Sequence, residues 1–152
     1  MIDIPIEFHV KYLKTFYVCR FKDINHSSEA PRHYYITVPC KDSKCLILCL
    51  ITSQTERKED FYARNNRKAL DSLVYLNKED FPFLTKGKSI IDCNSAKYYT
   101  SKKAIIRIID PKYGFDILCE NIPKKVKKDI FQALKKSPLL SLHVKREVLK
   151  VE

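Results

Sequence analysis

The sequence predicts a mainly β domain with added α structure: a small barrel followed by a C-terminal amphipathic helix. Three observations point there. Short runs of strand-forming residues recur along most of the chain with turns between them. One run, "CLILCLI" at residues 45–51, is apolar at every position, as a strand buried on both faces must be. After Pro123 the apolar period becomes helical, in "PKKVKKDIFQALKKS". A chain of 152 residues can bury a core of its own, and no internal repeat or low-complexity tract divides it. Residues 1–152 are therefore expected to form a single domain.

In chain order, the first strand signal is Thr15–Phe21, "TFYVCRF", dense in β-branched and aromatic residues. The polar stretch "KDINHSSEAPR" follows, a loop of the length that often carries function in a compact sheet. Tyr34–Val38 reads as the second strand, ended by Pro39. "KDSK" turns the chain into the third strand, Cys45–Ile51, so the two should form a hairpin at the centre of the sheet. The charged stretch "TERKEDFYARNNRKALDS" reads as a partly helical excursion rather than a linker between domains. Strand signals resume at Leu73–Leu76, Ser89–Asp92, Lys97–Thr100 and, most plainly, Ala104–Ile109, with a further short one at Phe115–Leu118. The total, on the order of five to seven strands, suits a small barrel. In the closing helix Val126, Ile130, Phe131 and Leu134 recur at helical spacing, with Pro123 suited to the first turn. Lysines 124, 125, 127, 128, 135 and 136 take most of the remaining surface, so one face should pack on the barrel and a basic face should meet solvent.

The net charge is +11 and the pI about 9.4. Such a surplus attracts a polyanion, whether nucleic acid, an anionic membrane surface or an acidic protein segment; the plainer alternative is that lysine only confers solubility. The longest apolar run is too short to cross a bilayer, and "MIDIPIEFHV" lacks the layout of a signal peptide. The expectation is a cytoplasmic protein with no membrane partner. Six cysteines contain no CxxC, and Cys45 and Cys49, on one strand, would stand roughly 13 Å apart at about 3.3 Å per residue, too far for one disulfide or one metal. They read as reduced structural thiols. No metal site and no cofactor are expected.

The stretch "PRHYYITVPCKDSKCLILCLITSQTE", residues 31–56, contains two short motifs. An arginine heads the second strand, in Arg32-His33-Tyr34-Tyr35-Ile36, and the apolar third strand ends in two hydroxyls, in Leu50-Ile51-Thr52-Ser53. With a strand and a long loop before them, the order of elements resembles the PemK/MazF-like toxins, in which an Arg-Pro precedes an aliphatic strand and a later aliphatic strand ends in Thr-Ser. Downstream, "YLNKEDFPFLTKGKSIIDCNSAKYYT" is similar to a divergent PemK-like branch. The resemblance covers about residues 12–137 and departs at His33, which stands where the family has proline. It implies an SH3-like barrel, commonly a homodimer, that cleaves single-stranded RNA without metal in a type II toxin–antitoxin pair. It also implies an acidic antitoxin whose segment blocks the RNA groove. On the family pattern Arg32 and Thr52 would be catalytic, with Ser53 an additional contact.

The residue types suit that chemistry. Metal-free cleavage has the ribose 2′-hydroxyl attack its own phosphate, so a dianionic transition state must be stabilised and two protons managed. Arginine offers a planar, permanently charged fork to two phosphoryl oxygens, and a strand-end threonine can bond a non-bridging oxygen or orient the sugar. His33 has the residue type for acid–base work near neutral pH, and Tyr34 and Tyr35 can stack on unpaired bases. If the hairpin forms, both motifs lie at one end of it. The competing readings are structural. Arg32 would then pair with Glu29 or an acidic residue of the excursion, Thr52 and Ser53 would cap the next segment, and His33 would pack or face solvent. His26, Ser27 and Ser28 of the loop fall near the same groove, with no spacing that marks a triad.

Overall fold

A computed structural model describes residues 5–149 of the chain. Its centre is one antiparallel sheet of six strands: β1 (Val18–Phe21), β2 (His33–Pro39), β3 (Leu46–Thr52), β4 (Leu73–Asn77), β5 (Lys88–Tyr99) and β6 (Phe115–Cys119). The order across the sheet is β4-β5-β3-β2-β1-β6. Strands β4 and β6 form its two ends and do not pair with each other, so the sheet is not closed into a barrel. Five helices surround it: α1 (Ile6–Lys11), α2 (Thr55–Asn65), α3 (Lys102–Ile108), α4 (Lys124–Lys136) and α5 (Leu142–Glu147). The architecture is mixed, with more helix than the sequence suggests. The short helices α1 and α5 carry no periodic signal long enough to read.

Strand β3 explains why the sheet has two covered faces. Ile47, Cys49 and Ile51 enter one apolar cluster with Val38, Phe81, Ile130 and Leu134. The alternate residues Leu46, Leu48 and Leu50 enter or pack on a second cluster with Val10, Leu13, Phe21 and Ile105. A strand with helices over both sides has no polar face, which is the physical content of the run "LILCLI". Helix α4 covers the first face as expected: Ile130 and Leu134 are fully buried, Val126 and Phe131 pack against the same cluster. All six cysteines are free thiols, five of them buried.

Three strand expectations are corrected. Ala104–Ile109 is not a strand but lies in helix α3 and its end. Its isoleucines bury Ile105 and Ile109, four apart, against Val10 and Leu13 of the N-terminal segment. The Ser101 side chain accepts the Ala104 N–H at 3.2 Å and starts the turn. β-branched residues favour strands only where a pleated neighbour exists, and here a helical face buries them instead. The strand drawn from Thr15 begins only at Val18, because Phe16 sits at φ 57°, outside strand geometry. Thr37 holds that bend: its carbonyl accepts the Phe16 N–H, and its hydroxyl accepts the Tyr17 N–H and donates to the Lys14 carbonyl. The two segments Ser89–Asp92 and Lys97–Thr100 are one long strand, β5, broken by a bulge. Opposite β3 its partners jump from Lys97 at Leu48 to Asp92 at Leu50, so Cys93–Ala96 bend away from the ladder.

Candidate functional site

The hairpin of β2 and β3 has the register Tyr34↔Ile51. His33 is the first residue of β2 and Thr52 the last of β3, with Arg32 and Ser53 immediately outside the strands. Both motifs therefore open at the same end of the sheet. They line one open cavity of about 750 Å³ that includes Arg32, His33, Tyr34, Thr52 and Ser53. The first turns of α2 and the β4–β5 loop supply the other walls, through Gln54, Arg57, Lys58, Phe61, Leu84, Thr85 and Lys86. Four of the lining residues are Arg or Lys, and none is Asp or Glu.

Local structure fixes each side chain. The long loop before β2 is tied down by Lys22, which is almost fully buried and donates from Nζ to the carbonyls of Ser27 and Ala30 at 2.6 and 2.8 Å. Asp23 Oδ1 accepts the Asn25 N–H and turns the loop. At the far end of this loop, Arg32 donates from Nη1 to Asp116 Oδ2 at 2.9 Å and to the Tyr113 carbonyl at 3.2 Å. Its other N–H groups have no protein partner among the described residues. Arg20 reaches the same Asp116 oxygen at 3.1 Å. Tyr34, Arg20 and Asp116 are cross-strand neighbours on β2, β1 and β6, and the Arg20 guanidinium lies 5.7 Å from the Tyr34 ring centre.

His33 and His26 meet edge to face, ring centres 5.1 Å apart, and the buried Nδ1 of each lacks a protein partner. Partial burial pushes the His33 pKa below its ordinary value, helped by the nearby His26 and Lys22. Thr52 Oγ1 accepts the Gln54 N–H at 3.1 Å, which is the capping contact its position favours, and leaves its own hydroxyl proton free to donate. Ser53 is exposed. The Tyr34 ring packs on Phe83 at 5.4 Å and is half-buried. Tyr35 cannot meet a base: its ring is stacked on Phe21 at 4.4 Å in the second core cluster. That expectation is corrected, because successive strand residues point to opposite faces.

Sequence reasoning missed the contribution of α2. Lys58 reaches Asp92 Oδ2 at 3.2 Å, where Tyr62 also donates at 2.7 Å, and this fully buried carboxylate locks the helix to β5. The signal was present in the spacing of Arg57 and Phe61, four apart, which places them on one helical face. Asp116 was missed for a different reason. Only the pairing of β6 with β1 brings it to Arg32, 84 positions away in sequence. Among the described residues no group of three or more His, Cys, Asp or Glu side chains could hold a metal ion, and no helix is long and apolar enough to cross a membrane. Comparisons with protein-family profiles, curated proteins and solved structures gave no match.

Proposed function

We propose that the chain is a PemK/MazF-like toxin, a metal-independent endoribonuclease that cleaves single-stranded RNA in the cytoplasm. One observation carries the reading: Arg32, His33, Tyr34, Thr52 and Ser53, separated in sequence by the length of a hairpin, line one cavity whose only charged members are cations. Phosphodiesters favour such a wall, and a carboxylate within it would oppose them. In the reaction the 2′-oxygen forms a bond to phosphorus while the bond from phosphorus to the 5′-oxygen breaks, leaving a 2′,3′-cyclic phosphate and a 5′-hydroxyl. His33, held neutral at pH 7, accepts the 2′-proton. His26 beside it is the group available to return a proton to the 5′-oxygen. The unpaired N–H groups of Arg32 and the Thr52 hydroxyl take the non-bridging oxygens as charge develops on them. On this reading the bent sheet is an SH3-like barrel left open between β4 and β6, the active form is a homodimer, and an acidic antitoxin segment occupies the cationic cavity.

The test is cleavage of long single-stranded RNA by the purified protein. Activity should survive chelator, stop with 2′-deoxyribose at the scissile position, and fall on the order of a hundredfold in Arg32→Ala, as loss of an oxyanion donor does. Thr52→Ala should weaken it and Thr52→Ser should retain more. Intact RNA in the presence of folded wild-type protein would refute the enzyme. A second reading has support in the Asp116 ion pair, which already occupies one arm of Arg32. In that case the cavity binds RNA or an acidic protein without cutting, and Arg32→Ala changes affinity alone.

A further inference from the structure

Phe61 has no packing duty that explains its place. Its neighbour Tyr62 is the residue that buries α2 against the sheet, whereas Phe61 is 57% exposed on the rim of the cation-lined cavity. Within α2 its ring stands steeply tilted to that of Tyr62, with ring centres 5.3 Å apart. Arg57 lies one turn before it on the same face and also lines the cavity. The sole side-chain hydrogen bond of Arg57 among the described residues is a 3.5 Å one to Gln54 Oε1, and no carboxylate pairs with it, so its guanidinium is free to bind an anion. Lys58, by contrast, is spent on the buried Asp92. The other exposed aromatics among the described residues, Phe8 and Tyr12 on and after α1, Tyr75 on β4 and Tyr113 before β6, line no part of this cavity. An accessible ring one helical turn from an uncommitted guanidinium is what an unpaired nucleotide needs, a face for its base and a charge for its phosphate.

We infer that Phe61 and Arg57 of α2 form a nucleotide subsite beside the Arg32–Thr52 pocket, in which an unpaired base flanking the scissile step stacks on Phe61 and its phosphate pairs with Arg57. The subsite depends on the RNA reading above. It makes α2, the charged excursion between β3 and β4, the element that chooses single strands over duplex, since a paired base has no free face to offer.

The experiment is equilibrium binding by fluorescence anisotropy, with a labelled 2′-O-methyl RNA oligomer that resists cleavage and a matched sugar-phosphate oligomer carrying no bases. Phe61→Ala should weaken binding of the based oligomer by about 5- to 150-fold, the range found when one stacking aromatic is removed. Its binding of the baseless oligomer should equal that of wild type, and Phe61→Trp should bind the based oligomer at least as well. Arg57→Ala should lower the slope of log affinity against log salt by about 0.7 for both oligomers, the share of one phosphate on a single strand. Equal affinity of wild type and Phe61→Ala for the based oligomer would overturn the subsite while leaving the RNA reading in place. So would an equal loss on the baseless oligomer, which marks a fold effect. Wild-type protein that binds neither oligomer would overturn both.

Discussion

Arg32 and Arg20 reach one carboxylate oxygen of Asp116, at 2.9 and 3.1 Å, so a single negative charge serves two guanidiniums. The trio keeps a net positive charge, and Arg32 is oriented by a contact that leaves most of its fork open. With all three side chains about a third to a half exposed, the pair itself adds little stability. Its role is orientation. His33 gives a pH signature with a definite sign. Burial lowers its folded pKa beneath the unfolded value near 6.5. The folded protein then binds this proton less readily than the unfolded chain does. The stability His33 contributes is therefore complete above about pH 6.5 and is lost as pH falls through the lowered folded pKa. Urea titrations between pH 7.5 and 5 should show wild type losing stability on acidification faster than His33→Gln. If the enzyme reading holds, the acid limb of the rate profile should have its midpoint below 6.5. Identical pH dependence in the two proteins would remove His33 from this account.

At the scale of elements, α2 is held by chemistry rather than by grease. Its only buried side chain is Tyr62, and the hydroxyl of that residue donates to a carboxylate that also receives Lys58 and the Asn94 N–H. Asn94 continues the network, donating to the Ala69 carbonyl and accepting from Ser137 after α4. One buried aspartate thus joins α2, the bulge of β5, the 3-10 turn Arg67–Ser72 and the end of α4. Asp92→Ala should cost about 3 kcal/mol in urea denaturation, because three donors lose a desolvated partner. Asp92→Asn, which can still accept from Tyr62, should cost less. Because Lys58, Arg57 and Phe61 share this helix, Asp92→Ala should also weaken binding at the cavity. A loss of stability under about 0.5 kcal/mol would mean that the network is dispensable.

For the whole molecule, the charge of +11 acts through where it is concentrated. Four cations line the cavity, of which Arg32 and Lys58 are already paired, so two to four phosphates are expected to be neutralised. A single strand should then bind with a salt slope of about −1.4 to −2.8, a fall of roughly 7- to 50-fold between 50 and 200 mM salt. Lysines of α4 line no part of that cavity, and the ammonium groups of Lys127 and Lys135 rest over the Phe16 and Phe131 rings. Replacing Lys124 and Lys128 by glutamine should change that slope little. A much steeper slope that these replacements abolish would move the polyanion site to the helix.

Strands β2, β3, β4 and β6, the apolar face of α4 and the placement of both motifs at one hairpin end were legible because local pattern dictates them. A period of two or of 3.6 is a property of consecutive residues, and Pro39 and "KDSK" fix the turn between the two strands. Tertiary structure decided the rest. "AIIRII" has the same local preference as a strand, and only the partner face formed by Val10 and Leu13 makes it a helix. The six strands close no barrel, because the ends of a sheet meet or stay apart according to bends such as the one at Cys93–Ala96, which hydropathy does not encode. The sequence named Arg32, His33, Tyr34, Thr52 and Ser53; it could not name Asp116, 84 positions from Arg32, as their companion. Side chains that meet across 30 or more positions do so through pairing register and helix docking, which are set by free energies summed over the whole core.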